Sequence, residues 1–148
     1  MTTDVKTVSA GWPLNRVAEY FVAHDISGAP VVDADDELVG VISLTDLARH
    51  NSMAQREANS ERPPAYYQGE PEGYAPEDMS ALNIAQDDPT TASDAMTPKV
   101  YNVSEHTSVQ QVADVMLRGR IQRVFVTEHG EIRGIITALD MLKIVREL

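Results

Sequence analysis

An internal duplication is the feature that most constrains the fold of this chain. Residues 5–9 (VKTVS) resemble residues 100–104 (VYNVS) at an offset of roughly 95 positions. After each segment, apolar residues recur at the i, i+3, i+4, i+7, i+8 spacing of an amphipathic helix with one buried face. These residues are Leu14, Val17, Ala18, Phe21 and Val22 in the first copy and Val109, Val112, Ala113, Met116 and Leu117 in the second. We also predict that Thr107 and Gln110 form the capping box of the second of these helices.

Two short strands and a closing helix follow in each copy. The pattern predicts strands at 29–32 and 38–43, matched by 124–126 and 132–137, and closing helices that start near Leu44 and Ala138. A unit of about 50 residues is marginally stable alone. We therefore expect an α/β fold of two β-α-β-β-α repeats, residues 1–50 and 93–148, packed about a pseudo-two-fold axis with two equivalent clefts between them.

The segment between the copies, residues 51–92, has a different composition. Residues 51–89 hold five of the eight prolines, residues 57–88 carry eight acidic side chains, and three of the five tyrosines lie here, namely Tyr66, Tyr67 and Tyr74. We interpret it as a long and largely irregular insertion. Two alternatives remain open: a solvated linker, or a lid or docking segment whose aromatic side chains are buried on a partner.

Composition argues against several functions. The chain has 12 Lys and Arg residues against 23 Asp and Glu, a net charge of −11, so we expect neither nucleic-acid nor membrane-surface binding. It has no cysteine, no run of 18 apolar residues and no signal peptide at its start, which fits a cytoplasmic location. The four histidines show no metal-ligand spacing, and no catalytic constellation recurs, so we predict no metal site and no catalytic residue.

The most specific motif is Gly-apolar-apolar-Ser/Thr-x-x-Asp, found at residues 40–46 (GVISLTD) and 134–140 (GIITALD). In both copies it spans a predicted strand-to-helix junction. Helix capping by the hydroxyl and the carboxylate explains this spacing. A ligand site is an alternative that capping does not exclude, because helix N-termini beside clefts bind polar ligands and a carboxylate can accept both hydroxyls of a ribose.

With this motif in both copies, the sequence resembles a tandem pair of cystathionine-β-synthase (CBS) domains over about residues 5–49 and 93–146. The resemblance implies a regulatory, non-enzymatic module that binds AMP, ADP, ATP or S-adenosylmethionine and requires no cofactor. It also implies a homodimer that acts on an unidentified partner protein in trans. A ligand-free dimerisation module and an enzyme acting on a nucleotide are the alternatives.

The resemblance further implies which residues line each cleft. The aspartates Asp46 and Asp140 would hold the ribose, although Leu139 stands where the first copy has the hydroxyl of Thr45. One cleft would combine the second motif with the first copy, through Asp140, Thr137, Val5, Ile26 and Ser27, with Asp4 nearby. The other would combine the first motif with the second copy, through Asp46, Ser43, Thr45, Lys99, Val100, Ile121 and Gln122.

The two predicted clefts differ in their basic residues. Lys99 and Arg123 belong to the second copy, and Arg123 occupies a position where many CBS domains carry a phosphate-binding residue. The alternative is that Arg123 is an ordinary surface arginine. We predict that the cleft with Asp46 and Lys99 is the better phosphate site.

Overall fold

Each copy of the duplicated unit folds in the predicted order of strand, helix, strand, strand and helix. The structure, a computed structural model, describes residues 1–52, 65–68 and 88–148. Its elements are β1 (Val8–Ser9), α1 (Leu14–His24), β2 (Gly28–Val32), β3 (Leu38–Ser43), α2 (Leu44–Ser52), a 3₁₀ turn (Ala65–Gln68), α3 (Ala92–Ala95), β4 (Asn102–Val103), α4 (Val109–Gly119), β5 (Arg123–Glu128), β6 (Glu131–Thr137) and α5 (Ala138–Arg146). The predicted α/β class is confirmed.

Each copy builds its own three-stranded sheet. The middle strand, β2 or β5, pairs in parallel with the short first strand and antiparallel with the last. The register places Gly28 opposite Ser43 and Arg123 opposite Thr137. The start of each middle strand therefore lies beside the motif hydroxyl of the same copy, at the point where the last strand becomes a helix.

The first helix of each copy buries a narrower face than the sequence predicts. In α1, Leu14, Val17 and Phe21 are buried as expected, but Val22 is exposed, and in α4 Val109 and Leu117 are exposed. Val22 and Leu117 hold the i+8 position, which lies about 80° around the helix from position i. That rotation turns them away from the sheet. Val109 is the first residue of its helix.

The capping box of α4 starts one residue later than predicted. Ser108 is the N-cap: its hydroxyl accepts the Gln111 N–H at 3.2 Å, and the Gln111 side chain accepts the Ser108 N–H at 3.2 Å. The Thr107 hydroxyl instead accepts the N–H of Ser104 at 3.0 Å and closes the preceding turn. The prediction of Thr107 and Gln110 is therefore wrong, because two adjacent hydroxyl residues compete for the cap.

Two hydrophobic cores lie against the two sheets, and the second contains an unexpected pair of residues. Tyr66 and Tyr67, from the 3₁₀ turn, are buried there together with Val41 of the first copy and Phe125 of the second. Tyr66 and Tyr67 thus pack on their own chain, whereas the docking interpretation of the intervening segment had them buried on a partner. Tyr74 and the rest of residues 53–64 and 69–87 lie outside the described residues.

The tips of the two β-hairpins meet near the centre of the pair. The Leu38 N–H donates to the Gly130 carbonyl at 2.9 Å, and Glu37 forms a bridge with Glu131. In the first hairpin, the carboxylate of Asp33 accepts the N–H groups of Asp35 and Glu37, as expected for a solvated turn. None of the helices in the described ranges has the length and apolar character needed to cross a bilayer.

Candidate functional site

The segment that leads into the first strand of each copy crosses to the sheet of the other copy. We call residues 1–5 and 96–100 the lead-in segments. Thr2 exchanges two backbone hydrogen bonds with Ile135 on β6, at 2.9 and 2.8 Å. Thr97 exchanges two with Val41 on β3, also at 2.9 and 2.8 Å. Each cleft is therefore bounded by the motif of one copy and the lead-in segment of the other.

The motif glycines allow these crossings. A Cβ atom on Gly40 would lie 2.7 Å from the Thr97 carbonyl oxygen, and one on Gly134 would lie 2.8 Å from the Thr2 carbonyl oxygen. Both separations are shorter than non-bonded carbon–oxygen contacts permit. The glycine of the motif is thus explained by the backbone of the opposite copy passing directly over it.

Asp46 is buried and its carboxylate is fully engaged. Oδ2 accepts the N–H of Ser43 at 2.9 Å and its hydroxyl at 3.3 Å, while Oδ1 accepts the Thr97 hydroxyl at 3.2 Å and lies 3.6 Å from Arg49 Nη1. Burial raises the pKa of Asp46, and the Ser43 N–H, Arg49 and Thr97 offset part of that rise. Asp46 therefore ties the first motif to the second lead-in segment.

Asp140, the equivalent residue, is half-buried and less engaged. Its Oδ2 accepts the Thr137 N–H at 3.0 Å and lies 3.9 Å from the amine of Met1, while the Thr137 hydroxyl accepts the Asp140 N–H at 3.2 Å. The Thr137 N–H lowers the pKa of Asp140. Within the described ranges, no group donates to its Oδ1. The capping box is complete in the second motif, whereas in the first motif the carboxylate accepts the Ser43 N–H but the Ser43 hydroxyl donates to Asp46. Asp140 retains an oxygen for a further donor.

The residue directly before the motif aspartate is Thr45 in the first copy and Leu139 in the second, as the sequence indicates. The Thr45 hydroxyl is enclosed and has no hydrogen-bond partner among the described residues. Leu139, its counterpart, is exposed on α5. The two clefts are therefore chemically unequal at this position.

The 3₁₀ turn, which we call the tyrosine turn, lies against residues predicted to contact a ligand. The Tyr67 carbonyl accepts the Gln122 N–H at 2.8 Å. The Tyr67 hydroxyl donates to the Lys99 carbonyl at 2.9 Å and accepts the Tyr101 N–H at 3.2 Å. Burial raises the pKa of Tyr67, so this hydroxyl stays protonated and can donate.

The ring of Tyr66 bridges the two copies. It stacks on Phe125 with ring centroids 5.6 Å apart and planes 10° apart, and the Arg123 guanidinium carbon lies 4.7 Å from its centroid. On the other side, a Cβ atom on Gly28 would lie 2.9 Å from Tyr66 Cδ1. Arg123 is half-buried against this ring at the first residue of β5, and both of its interpretations, as a phosphate ligand and as a surface arginine, stay predictions.

The remaining predicted residues occupy equivalent places in the two copies. The Ser27 carbonyl accepts the Leu44 N–H at 2.9 Å, and the Gln122 carbonyl accepts the Ala138 N–H at 2.8 Å, so each fixes the start of the closing helix of its own copy. Ser27 therefore lies beside the motif of Asp46 and Gln122 beside the motif of Asp140, so the predicted assignment of each to the motif of the other copy is wrong. The physical reason is the antiparallel pairing of the middle and last strands within each copy. Ile121 is buried in the second core and Ile26 packs against the first. Val5 and Val100 are half-buried in the lead-in segments, where Asp4 is exposed.

Sequence reasoning missed two groups of residues at the clefts. The prediction named Asp4, Val5, Lys99 and Val100 in the lead-in segments. The backbone hydrogen bonds to the other copy are instead made by Thr2 and Thr97. The repeated Met-Thr pair at residues 1–2 and 96–97 was a signal for them. The sequence contains no comparable signal that would predict Tyr66 and Tyr67 as cleft residues, since the tyrosine turn has no counterpart in the repeat.

Comparison with known proteins places both copies in one family. The family model described as CBS domain matches residues 1–52 and 92–147. The uncharacterized protein MJ1232 of Methanocaldococcus jannaschii is 27% identical over 143 residues, which cover 96% of this chain and 36% of the relative. The chain therefore spans about a third of the length of that relative.

Solved structures show the same fold. The structure of CBSX2 in complex with AMP matches with a TM-score of 0.63 and 21% identity, covering 99% of this chain and 92% of that one. The CBS domain pair of protein MJ0100, in complex with 5′-methylthioadenosine and S-adenosylmethionine, matches with a TM-score of 0.59, 21% identity and the same coverage. Because the family model covers both β-α-β-β-α units, the chain belongs to the CBS domain family as a tandem pair of CBS domains.

Proposed function

We propose that this chain is a regulatory module that binds an adenosine derivative, such as AMP, ADP, ATP or S-adenosylmethionine, in a cleft between its repeats. The crossing of the lead-in segments carries the proposal. Each motif aspartate lies at the N-terminus of its closing helix, and the crossing brings the lead-in segment of the other copy next to it. A ligand in such a cleft contacts both copies. The AMP and S-adenosylmethionine complexes of similar CBS proteins support this ligand class.

The chemistry of the Asp140 cleft suits a ribose. Asp140 Oδ1 is an acceptor for a ligand hydroxyl, and the low pKa of the carboxyl keeps it ionised at neutral pH. The N-terminal end of α5 favours a nearby anion. A ligand that touches both copies stabilises one relative orientation of the two, and we propose that a partner protein responds to that orientation in trans.

The test is calorimetric titration of the full chain with AMP, ATP and S-adenosylmethionine, supported by thermal shift. We expect at least one compound to bind and to raise the melting temperature. Asp140→Ala should weaken binding about 10-fold or more, because a hydrogen bond to a charged group contributes about 1.5–3 kcal/mol. Asp114→Ala, an exposed acid on α4, is the matched control and should bind normally. Absence of binding by every compound would contradict the proposal.

A ligand-free dimerisation module is the second candidate. The hydrogen bonds of Asp46 favour it, since that carboxylate is satisfied by Ser43 and Thr97 without any ligand. This candidate predicts that the chain dimerises and that no adenosine compound shifts its melting temperature. The same titrations therefore separate the two functions.

A further inference from the structure

We infer that the tyrosine turn is an internal competitor of ligand binding: it docks between the two motifs and has to leave when an adenosine derivative bridges the copies. The inference rests on the proposed function and adds a regulatory step to it. It assigns no preference to either cleft, because the turn contacts residues beside both motifs.

The ring of Tyr66 contacts equivalent positions of the two copies. Gly28 and Arg123 each begin the middle strand of their copy. Each pairs with the motif hydroxyl residue, which is Ser43 in the first copy and Thr137 in the second. A Cβ atom on Gly28 would lie 2.9 Å from Tyr66 Cδ1, and the Arg123 guanidinium carbon lies 4.7 Å from the centroid of the ring. A ring that reaches the same position of both copies lies between their motifs.

Tyr67 occupies backbone groups of the second copy next to this ring. Its carbonyl accepts the Gln122 N–H, and its hydroxyl donates to the Lys99 carbonyl and accepts the Tyr101 N–H. The turn therefore uses two N–H donors and one carbonyl acceptor. An adenine carries ring-nitrogen acceptors and an amino donor, so it can bind groups of the same kinds once the turn has left.

The docked turn fills the space between the motifs. The side chains of Tyr66 and Tyr67 are both buried, and the ring of Tyr66 stacks on Phe125. The Arg123 guanidinium that lies over this ring can stack on a purine in the same way. A ligand that contacts both copies, at either motif, therefore competes with two buried aromatic side chains.

Competition of this kind has a measurable size. The apparent Kd equals the intrinsic Kd divided by the fraction of molecules in the binding-competent state, so a turn that is docked in about 90% of the molecules weakens binding about 10-fold. Removing the side chains of the turn should therefore tighten binding, whereas a turn that is a fixed part of the core gives no such gain.

The first test measures binding of AMP, ATP and S-adenosylmethionine to the wild-type chain and to Tyr66→Ala/Tyr67→Ala by calorimetry. We expect the double variant to bind about 10-fold more tightly. Tyr67→Phe keeps the ring and loses only the hydroxyl contacts, so it should tighten binding by a smaller factor. Tyr20→Ala, which removes a half-buried tyrosine on α1, is the matched control and should bind as the wild type does. Equal or weaker binding by a folded double variant would overturn the inference and leave the proposed function standing.

A second measurement uses the wild-type sequence and does not depend on the folding of the double variant. Fluorine NMR of the chain labelled with 3-fluorotyrosine gives a signal for each of the five tyrosines, assigned by replacing them with phenylalanine one at a time. At saturating AMP, ATP or S-adenosylmethionine, the signals of Tyr66 and Tyr67 should move to solvent-exposed positions, while the signal of Tyr20 stays unchanged.

The outcomes separate the inference from the proposed function. Turn signals that stay buried while a compound is bound would overturn the inference alone. Binding to Tyr67→Phe or to the double variant but not to the wild-type chain would support it. Binding of none of the three compounds to any of these chains would overturn both the inference and the proposed function.

Discussion

At the scale of single residues, Asp46 and Asp140 hold the same position of the repeat in different surroundings. Burial raises the pKa of Asp46, whereas the Thr137 N–H lowers the pKa of Asp140. A raised pKa means that the folded state binds a proton more tightly than the unfolded state, so this group adds stability as pH falls. A lowered pKa has the opposite effect, since its contribution is present above the unfolded pKa and is lost on acidification.

We therefore predict opposite pH dependence for Asp46→Asn and Asp140→Asn. Between pH 7 and pH 4, the cost of Asp46→Asn should grow, because the wild-type chain gains stability from protonating Asp46. The cost of Asp140→Asn should stay nearly constant down to about pH 4 and shrink below it, because the stability from a lowered pKa is lost only as pH falls through the unfolded and then the folded pKa. Urea unfolding at pH 7, pH 4 and pH 3 measures these costs, and a trend of the same sign in both variants would contradict the assignment.

At the scale of elements, the crossing of the lead-in segments depends on the absence of a side chain at the motif glycine. Gly40→Ala would place a Cβ atom against the backbone of Thr97, so we expect a loss of about 1–3 kcal/mol in the free energy of unfolding. The Thr97 amide, which donates to Val41, should also exchange faster. Gly11→Ala is the control, because no atom lies within 4 Å of the added Cβ. Equal stability of the two variants would exclude the steric explanation.

The elements were predictable where one local period sets them. The last strands end and the closing helices begin at the hydroxyl residue of the motif, and Leu38–Ser43, Leu44 and Ala138 are found as predicted. The first strands are only two residues long, because just Val8–Ser9 and Asn102–Val103 pair with a neighbour. A short edge pairing of that kind depends on the neighbouring strand, and a local pattern does not contain it.

The candidate site was predictable only in part, for a related reason. The contacts of the motif aspartates follow from spacing within four residues: both carboxylates accept the N–H of the motif hydroxyl residue, and the second motif completes the capping box. The contacts of Thr97 with Asp46 and of Tyr67 with Gln122 join positions about 50 residues apart. Tyr67 belongs to the segment between the repeats, so a comparison of the two copies finds no residue equivalent to it. Its position depends on tertiary packing alone.

At the scale of the whole molecule, exposed apolar side chains concentrate on the helices of the second copy. On α5, Leu139, Leu142 and Val145 are 68%, 62% and 61% exposed, and Leu117 on α4 is 78% exposed. In the first copy Thr45 and Ala48 stand at the positions of Leu139 and Leu142, and Ala48 is buried. Adjacent exposed leucines on one helix are typical of a protein interface, which supports the proposed homodimer.

We predict that the wild-type chain forms a dimer through this face and that Leu142→Glu makes it a monomer. A carboxylate at the centre of an apolar helix face would have to be desolvated at the interface, which costs several kcal/mol. Val22→Glu is the matched control, since it adds the same charge at a position that is 54% exposed on α1 of the first copy. Sedimentation velocity gives the mass of each variant. A monomeric wild-type chain, or a dimer that survives Leu142→Glu, would contradict the prediction.

The exchange of lead-in segments has a further consequence for the integrity of the molecule. The last strand of each half is bridged by one residue of the other half, Thr2 at Ile135 and Thr97 at Val41. We therefore expect that proteolytic cleavage between the two copies would not separate them, and that the two fragments would remain a non-covalent complex. For the same reason, an isolated repeat would leave the edge of its last strand unpaired. We expect a fusion protein that carries only one repeat to aggregate through this edge.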